Sequence, residues 1–457
     1  MNRISLIFAL ILLSYTAAAQ SDPISGSWWG TIDLGSQKLS LAFEIIVGED
    51  GSLKATMDVP QQSASGIPVE LKRVTSDSLE ISIPAISARY SGGLNPQNII
   101  SGTFTQNGLS LPLDLQRGKI KPNRPQTPQS PYPYSTEEVT FTNNEDGAVL
   151  SGTLTYPMMH FRYPAKTIPI VIMVTGSGAQ NRDEEIYEHK PFAVIAHHLA
   201  LNGIASLRYD DRGVGKSTGS LEGATSSTYK ADADAAVAFL RSLDKFGKIG
   251  VLGHSEGGTI AFMMGAGQTV DFIISMAGTA AKGIDVLLGQ NAAVLKLSGI
   301  SEAVADQYCT ALRIIFTDRI SGMNVEDPQK YVADICSANS LSLPQTLQAN
   351  LTQVITSGGD WMTWFLAHDP VQDISRISCP VFALNGNMDL QVISRDNLPV
   401  LRENLPENPR HLIKEYDSLN HLFQHCTYQT SMNYYAIEET VSEEVLKDIA
   451  AWINGLK

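Results

Sequence analysis

The chain is 457 residues long, 43% hydrophobic and 18% charged, a balance that excludes a disordered or fibrous polypeptide and points to two globular domains. Its formal net charge of -14 and the lack of any Lys/Arg-rich run argue against a nucleic-acid partner, because phosphate binding needs a cationic face. Four cysteines, Cys309, Cys336, Cys379 and Cys426, have neither CxxC nor metal-ligand spacing, and both a Cys309–Cys336 disulfide and isolated thiols fit them.

Met1-Asn2-Arg3, the apolar stretch 4–13 and Ala17-Ala18-Ala19 before Gln20 have the order of a secretory signal peptide, predicted over 1–19 with cleavage near Ala19. The apolar stretch is shorter than the roughly 20 residues a membrane span requires. No cysteine stands at the cleavage site to carry a lipid, so the expected location is periplasmic or secreted, with no membrane span.

Residues 20–118 read as a small all-β domain, a barrel or a sandwich. Short alternating runs at 38–45, 53–57, 78–83 and 100–104 are separated by turn signals, with Gly92-Gly93 and Asn107-Gly108 expected between strands. Nothing in this region assembles a nucleophile, a base and an acid. Its expected role is to pack beside or shield the second domain, ahead of substrate or surface binding. Pro122, Pro125, Pro128, Pro131 and Pro133 then mark 119–135 as an extended linker, since that density of proline suits neither helix nor central strand.

From 136 to 457 strands alternate with helices. Strands are predicted at 138–141, 149–156, 168–174, 204–209, 248–252, 272–276, 381–384 and 411–416, with helices at 192–201, 229–243, 259–264 and 443–453. Runs such as Pro169-Ile170-Val171-Ile172-Met173-Val174 are continuously apolar, as strands covered on both faces must be, which predicts a mostly parallel sheet with helices on both sides. Helix-like sequence interrupts the alternation from about 283 to 369. A segment of that size is too large for a plain loop and is read as a helical cap insertion.

Gly253-His254-Ser255-Glu256-Gly257 follows the apolar strand and opens a helix, the strand–turn–helix setting in which G-x-S-x-G presents a nucleophilic serine. A serine hydroxyl needs a base to take its proton and an acid to orient that base. In this arrangement the acid follows a later strand and the histidine follows the last. Asp389, in Asn385-Gly386-Asn387-Met388-Asp389, and His421, in Asp417-Ser418-Leu419-Asn420-His421, meet that order, with His425 as the competing base. Asp369 and Asp373 precede their strand and read as surface or cap-edge carboxylates. His254 is expected to pack beneath the turn, because adjacent side chains on a tight elbow point apart. Two backbone N–H donors must meet the oxyanion of a tetrahedral intermediate. Glu256 supplies one, and Thr175-Gly176-Ser177-Gly178 the other, with Ser177 ahead of Gly178.

Taken in order, Val174–Asp183, Arg208–Ser217, Gly253–Gly258, Asn385–Val392 and Leu419–Gln424 resemble the signatures of bacterial α/β hydrolases akin to the serine aminopeptidase and esterase-lipase group, over about 136–457. The resemblance implies an α/β-hydrolase fold and a Ser255, Asp389, His421 triad that works without cofactor or metal. It leaves the substrate among esters, thioesters and peptides. Thr175-Gly176 replaces the His-Gly frequent in the oxyanion strand. Gly213-Val214-Gly215-Lys216-Ser217 lacks the glycine that a phosphate loop needs at Asp210, and the resemblance makes it a loop at the rim of the site. The carboxylates of Arg182-Asp183-Glu184-Glu185 suit either a substrate ammonium or an internally paired loop, the latter preferred. Trp361-Met362 and Trp364-Phe365-Leu366 suit an acyl pocket or a helix core equally. The expected activity is hydrolysis of a small carboxylic ester. The alternatives are a peptidase acting on short peptides with the same triad and a non-catalytic binding protein.

Overall fold

The structure, a computed structural model, describes residues 24–33, 38–48, 52–60, 64–158, 160–164 and 166–456. The expected signal peptide over 1–19 lies outside the described residues. The chain divides into two compact units, one ending at Lys121 and the other beginning at Pro122.

The first unit is a closed antiparallel barrel of β1 (Gly26–Asp33), β2 (Lys38–Val47), β3 (Leu53–Val59), β4 (Ala64–Val74), β5 (Ser78–Ile83), β6 (Ala88–Leu94), β7 (Ile99–Gln106) and β8 (Leu109–Arg117). Pairing of Trp28 with Arg117 and of Trp29 with Gln116 joins the last strand to the first, which leaves no sheet edge exposed. Alternation sets the two faces: in β3, Ala55, Met57 and Val59 point inward while Lys54 and Thr56 face solvent. Trp28, Phe43, Leu79, Tyr90 and Ile100 fill the interior.

Gly92 and Gly93 lie within β6 and not in a turn, contrary to their reading as a turn signal. Tyr90 explains the difference. Its buried hydroxyl sits 2.8 Å from the Ile100 carbonyl oxygen and 3.1 Å from that of Leu113, and a Cβ on Gly92 would overlap it. Asn107 and Gly108 do form the β7–β8 turn, both at positive φ (49° and 81°), as a two-residue hairpin loop requires.

The second unit carries an eight-stranded sheet built from β9 (Thr136–Thr142), β10 (Val149–Thr155), β11 (Ile170–Val174), β12 (Ala205–Tyr209), β13 (Ile249–His254), β14 (Phe272–Met276), β15 (Val381–Gly386) and β16 (Leu412–Tyr416). The spatial order is β16-β15-β14-β13-β11-β12-β10-β9. The β9–β10 and β10–β12 pairs are antiparallel and the other five pairs are parallel. β11, β13 and β14 are buried along their whole length.

Helices α2 (Ser226–Ser242) and α3 (Glu256–Ala266) cover one face of the sheet through Ala233, Ala236, Val237 and Ile260. On the opposite face α1 (Pro191–Leu201) and α11 (Glu443–Gly455) bury Phe192, Ile195, Val445 and Ile449. This is the α/β-hydrolase fold expected from the resemblance. Between β14 and β15 the chain forms α4 (Gly283–Leu297), α5 (Glu302–Ile320), α6 (Pro328–Ala338), α7 (Gln345–Thr356) and α8 (Gly359–Ala367), followed by the short α9 (Val371–Ile374). The helices α4 to α8 share their own core around Leu312, Phe316, Ile335 and Leu351. α10 (Ser394–Asn404) precedes β16. All four cysteines are free thiols.

The proline-rich segment is anchored to the second unit from Pro122 onward. The Arg124 guanidinium donates to the carbonyl oxygens of Tyr187, Tyr435 and Ile437, and Gln126 bonds the backbone at Thr440 and Val441.

Candidate active site

Ser255 occupies the single residue between β13 and α3, at φ 54° and ψ -120°. A non-glycine residue held there costs on the order of 1–3 kcal/mol, and glycines on either side make the turn sterically feasible. A Cβ on Gly253 would overlap the Gly257 carbonyl oxygen, one on Gly257 would overlap that of Val174, and one on Gly258 would meet the Gly278 Cα.

The loops after β15 and β16 approach each other closely, because Gly386 lets the Leu419 carbonyl pass where a Cβ would stand. His421 Nδ1 lies 2.8 Å from Asp389 Oδ2, and both residues are buried. Asp389 Oδ1 accepts from the backbone N–H groups of Gln391 (2.7 Å) and Val392 (2.9 Å), which leaves Oδ2 for the imidazole. With Nδ1 donating to the carboxylate, Nε2 is the acceptor nitrogen. Asn420 shapes the loop by accepting from the N–H groups of Leu422 and Gln424. His425 is exposed and paired with Glu439, while Asp369 pairs with Lys282 and Asp373 with Arg376.

Two buried carboxylates hold the loop after β11. Asp211 accepts from the Thr175 hydroxyl and from the Gln180 N–H, and burial pushes its carboxyl up to about 8. Glu184 Oε1 accepts from the Gly176 N–H at 2.8 Å. Among the described residues, the N–H groups of Ser177 and Glu256 have no protein acceptor. Ser177 lines the cavity in front of Ser255, whereas Gly178 does not.

His254 is buried, as its place at the turn implies, but it does more than fill space. Its Nδ1 lies 3.0 Å from Glu184 Oε1, its Nε2 lies 2.9 Å from the His421 carbonyl oxygen, and its ring centroid is 4.7 Å from that of His421. Burial opposes its protonation, yet the adjoining Glu184 carboxylate, with the His421 carbonyl and Asp389, more than offsets this and raises the ring above the ordinary histidine value. The pairing of Glu184 with His254 was not legible in the sequence, since the two stand 70 positions apart.

Ser255 and His421 line one cavity of about 330 Å³. Val286 and Leu287 of α4 and Trp361 and Phe365 of α8 form its apolar wall, and no Lys or Arg lines it among the described residues. Trp361 Nε1 donates to Glu256 Oε1 at 2.9 Å, and the Ser226 hydroxyl donates to the same oxygen at 2.5 Å. The other aromatic-rich positions divide: Met362 and Leu366 pack into the core of the insertion and Trp364 stacks on His368. In the acidic loop, Asp183 is paired with Arg208, Glu185 with Lys190 and Glu184 with His254, so each carboxylate already has a protein partner. In the loop after β12, Asp210 is clamped by Arg182, and the Ser217 hydroxyl donates to the Asp210 carbonyl.

Sequence comparison matches residues 188–423 to the family described as serine aminopeptidase, S33. Esterase EstD of Thermotoga maritima is 25% identical over 322 residues, 70% of this chain and 68% of that protein. An esterase of Pyrococcus furiosus superposes with a TM-score of 0.43 at 17% identity, covering 74% of this chain and 99% of the other. A hypothetical protein from Pseudomonas aeruginosa gives a TM-score of 0.43 at 18% identity, covering 72% and 96%.

Proposed function

The chain belongs to the serine aminopeptidase S33 family of α/β hydrolases, and from that premise we propose that it is an exported carboxylesterase acting on short-chain esters through Ser255, His421 and Asp389. The observation that carries this reading is the Asp389–His421 hydrogen bond on the same cavity as a serine held at positive φ. His421 Nε2 takes the Ser255 proton as Oγ attacks the ester carbonyl. The N–H groups of Ser177 and Glu256 receive the oxyanion, and His421 returns the proton to the departing alkoxide. Water, deprotonated by His421, then releases the acyl group from Ser255. Asp389 keeps Nδ1 as the donor and stabilises the imidazolium formed at both steps.

Helices α4 to α8 act as a cap that sizes the acyl pocket. A cavity of about 330 Å³ stands at the small end of the range of roughly 300–1,000 Å³ for ligand pockets. Hydrolysis of p-nitrophenyl butyrate should therefore exceed that of the octanoate. Ser255→Ala and His421→Ala should each lower kcat by about 10⁴-fold or more. Wild-type activity that survives either substitution would remove the triad reading.

The family description favours a second reading, a peptidase. The paired state of Asp183, Glu184 and Glu185 argues for the ester, because none is left to bind a substrate ammonium. Turnover of aminoacyl amides without turnover of simple esters would reverse the order. Export rests on the leader-like first 19 residues, and a processed N-terminus at Gln20 in protein recovered outside the cytoplasm is the expected result.

A further inference from the structure

We propose that Glu184 and His254 form a second carboxylate–histidine pair, separate from Asp389–His421, which holds the oxyanion loop and the base loop in register, with Glu184 as a positioning residue for ester hydrolysis. This inference rests on the esterase reading of the same site.

Glu184 reaches its place in the left-handed region, at φ 52°, with its own N–H bonded to the Asn181 carbonyl and the residue 3% exposed. Backbone strain spent on aiming a carboxylate inward is the mark of a group that the site uses. A single oxygen, Oε1, serves two loops. It fixes the Gly176 N–H at 2.8 Å, one residue before Ser177, which lines the cavity. It also faces His254 Nδ1 at 3.0 Å, and through that ring it is connected to the His421 carbonyl at 2.9 Å. Asp389 thus orients the His421 ring while His254 secures the backbone that carries it.

The proton inventory follows from the acceptors. A carbonyl oxygen can only accept, so His254 Nε2 carries hydrogen. Nδ1 faces a carboxylate, and a bare nitrogen there would set lone pair against lone pair, so the intact pair is imidazolium with carboxylate. Glu184 and, farther off, Asp389 favour that charge against burial. His421 stands alongside, Asp211 is close enough to Glu184 for their charges to interact, and Phe192, Ile195 and Met276 line the apolar side of His254. As pH rises through the raised value of His254, the proton leaves and the connection between the loops weakens.

The test uses full-length protein with p-nitrophenyl butyrate. Glu184→Ala should lower kcat about 100-fold with KM held within about threefold, the signature of a lost transition-state donor. Inhibition by a trifluoromethyl ketone, whose adduct carries the oxyanion, should weaken in proportion. Glu184→Gln keeps Oε1 as the acceptor for the Gly176 N–H and removes the charge that favours the proton on His254, so it should keep kcat within about tenfold of wild type. It should also lose the alkaline limb that wild type shows as His254 gives up its proton. If Glu184→Ala fails to fold, the alkaline limb of Glu184→Gln decides. Unchanged kcat in Glu184→Ala, a loss that merely tracks the fraction of sites titrated by a fluorophosphonate, or an alkaline limb retained in Glu184→Gln each overturns the proposal while the esterase reading stands. A wild type that neither turns over esters nor reacts with the fluorophosphonate overturns both.

Discussion

Asp211 shows what one buried carboxyl does to the pH response of the fold. At 6% exposure it accepts hydrogen bonds from Thr175 and Gln180, yet burial dominates and raises it to about 8. A carboxyl raised in the folded state binds a proton more tightly there than in the unfolded chain. Its contribution to stability is therefore full below the ordinary carboxyl range and is lost as pH rises through about 8. Melting temperature should accordingly fall between pH 5 and pH 8 in wild type and fall less in Asp211→Asn, as read by thermal denaturation at both values. If the two slopes are equal, Asp211 is not the titrating group. The candidate nucleophile, base and acid were legible one by one at this scale, because each sits in a local strand–loop context that sequence displays. The pairing of Glu184 with His254 was not, because it depends on where the loop after β11 folds back.

Among the elements, the insertion between β14 and β15 supplies the apolar wall of the cavity. Its α8 presents Trp361 and Phe365, stacked at 5.3 Å, and the Trp361 indole is fixed by Glu256 beside the nucleophile. Trp361→Ala should enlarge the pocket and raise the octanoate-to-butyrate ratio of kcat/KM by about tenfold or more, the low end of the roughly 10–200-fold that accommodating a single further methylene in an apolar pocket is worth. An unchanged ratio would place the acyl chain elsewhere. Sequence showed that 283–369 is helical but not which helical residues face the cavity, since Trp361 and Met362 are equally apolar and only packing separates them. α10 carries Pro399 inside it; Leu398 and Leu401, buried against the sheet, nevertheless secure the helix.

For the whole molecule, the division after Lys121 carries a prediction of its own. The Gly176–Leu422 span that lines the cavity belongs entirely to the second unit, whose strands share two extensive cores. A chain of residues 122–457, beginning just before the Arg124 anchor, should retain kcat/KM for p-nitrophenyl butyrate within about threefold of full length, as an independently folding domain does. A loss beyond about tenfold would show that the barrel takes part in catalysis or in substrate access.

Apolar runs, turn residues and the G-x-S-x-G setting by themselves determined the eight sheet strands, the order of the candidate serine, acid and histidine along the chain, and the all-β character of the first unit. Those properties arise from neighbours a few positions apart, so they are written in periodicity and local sterics. Tertiary structure alone decided that the first unit closes into a barrel, that Gly92 makes room for Tyr90 inside a strand, and that Glu184 meets His254. Each depends on contacts between segments far apart in sequence, where side-chain volume and the demand that buried polar groups find partners select one arrangement among many that local pattern permits.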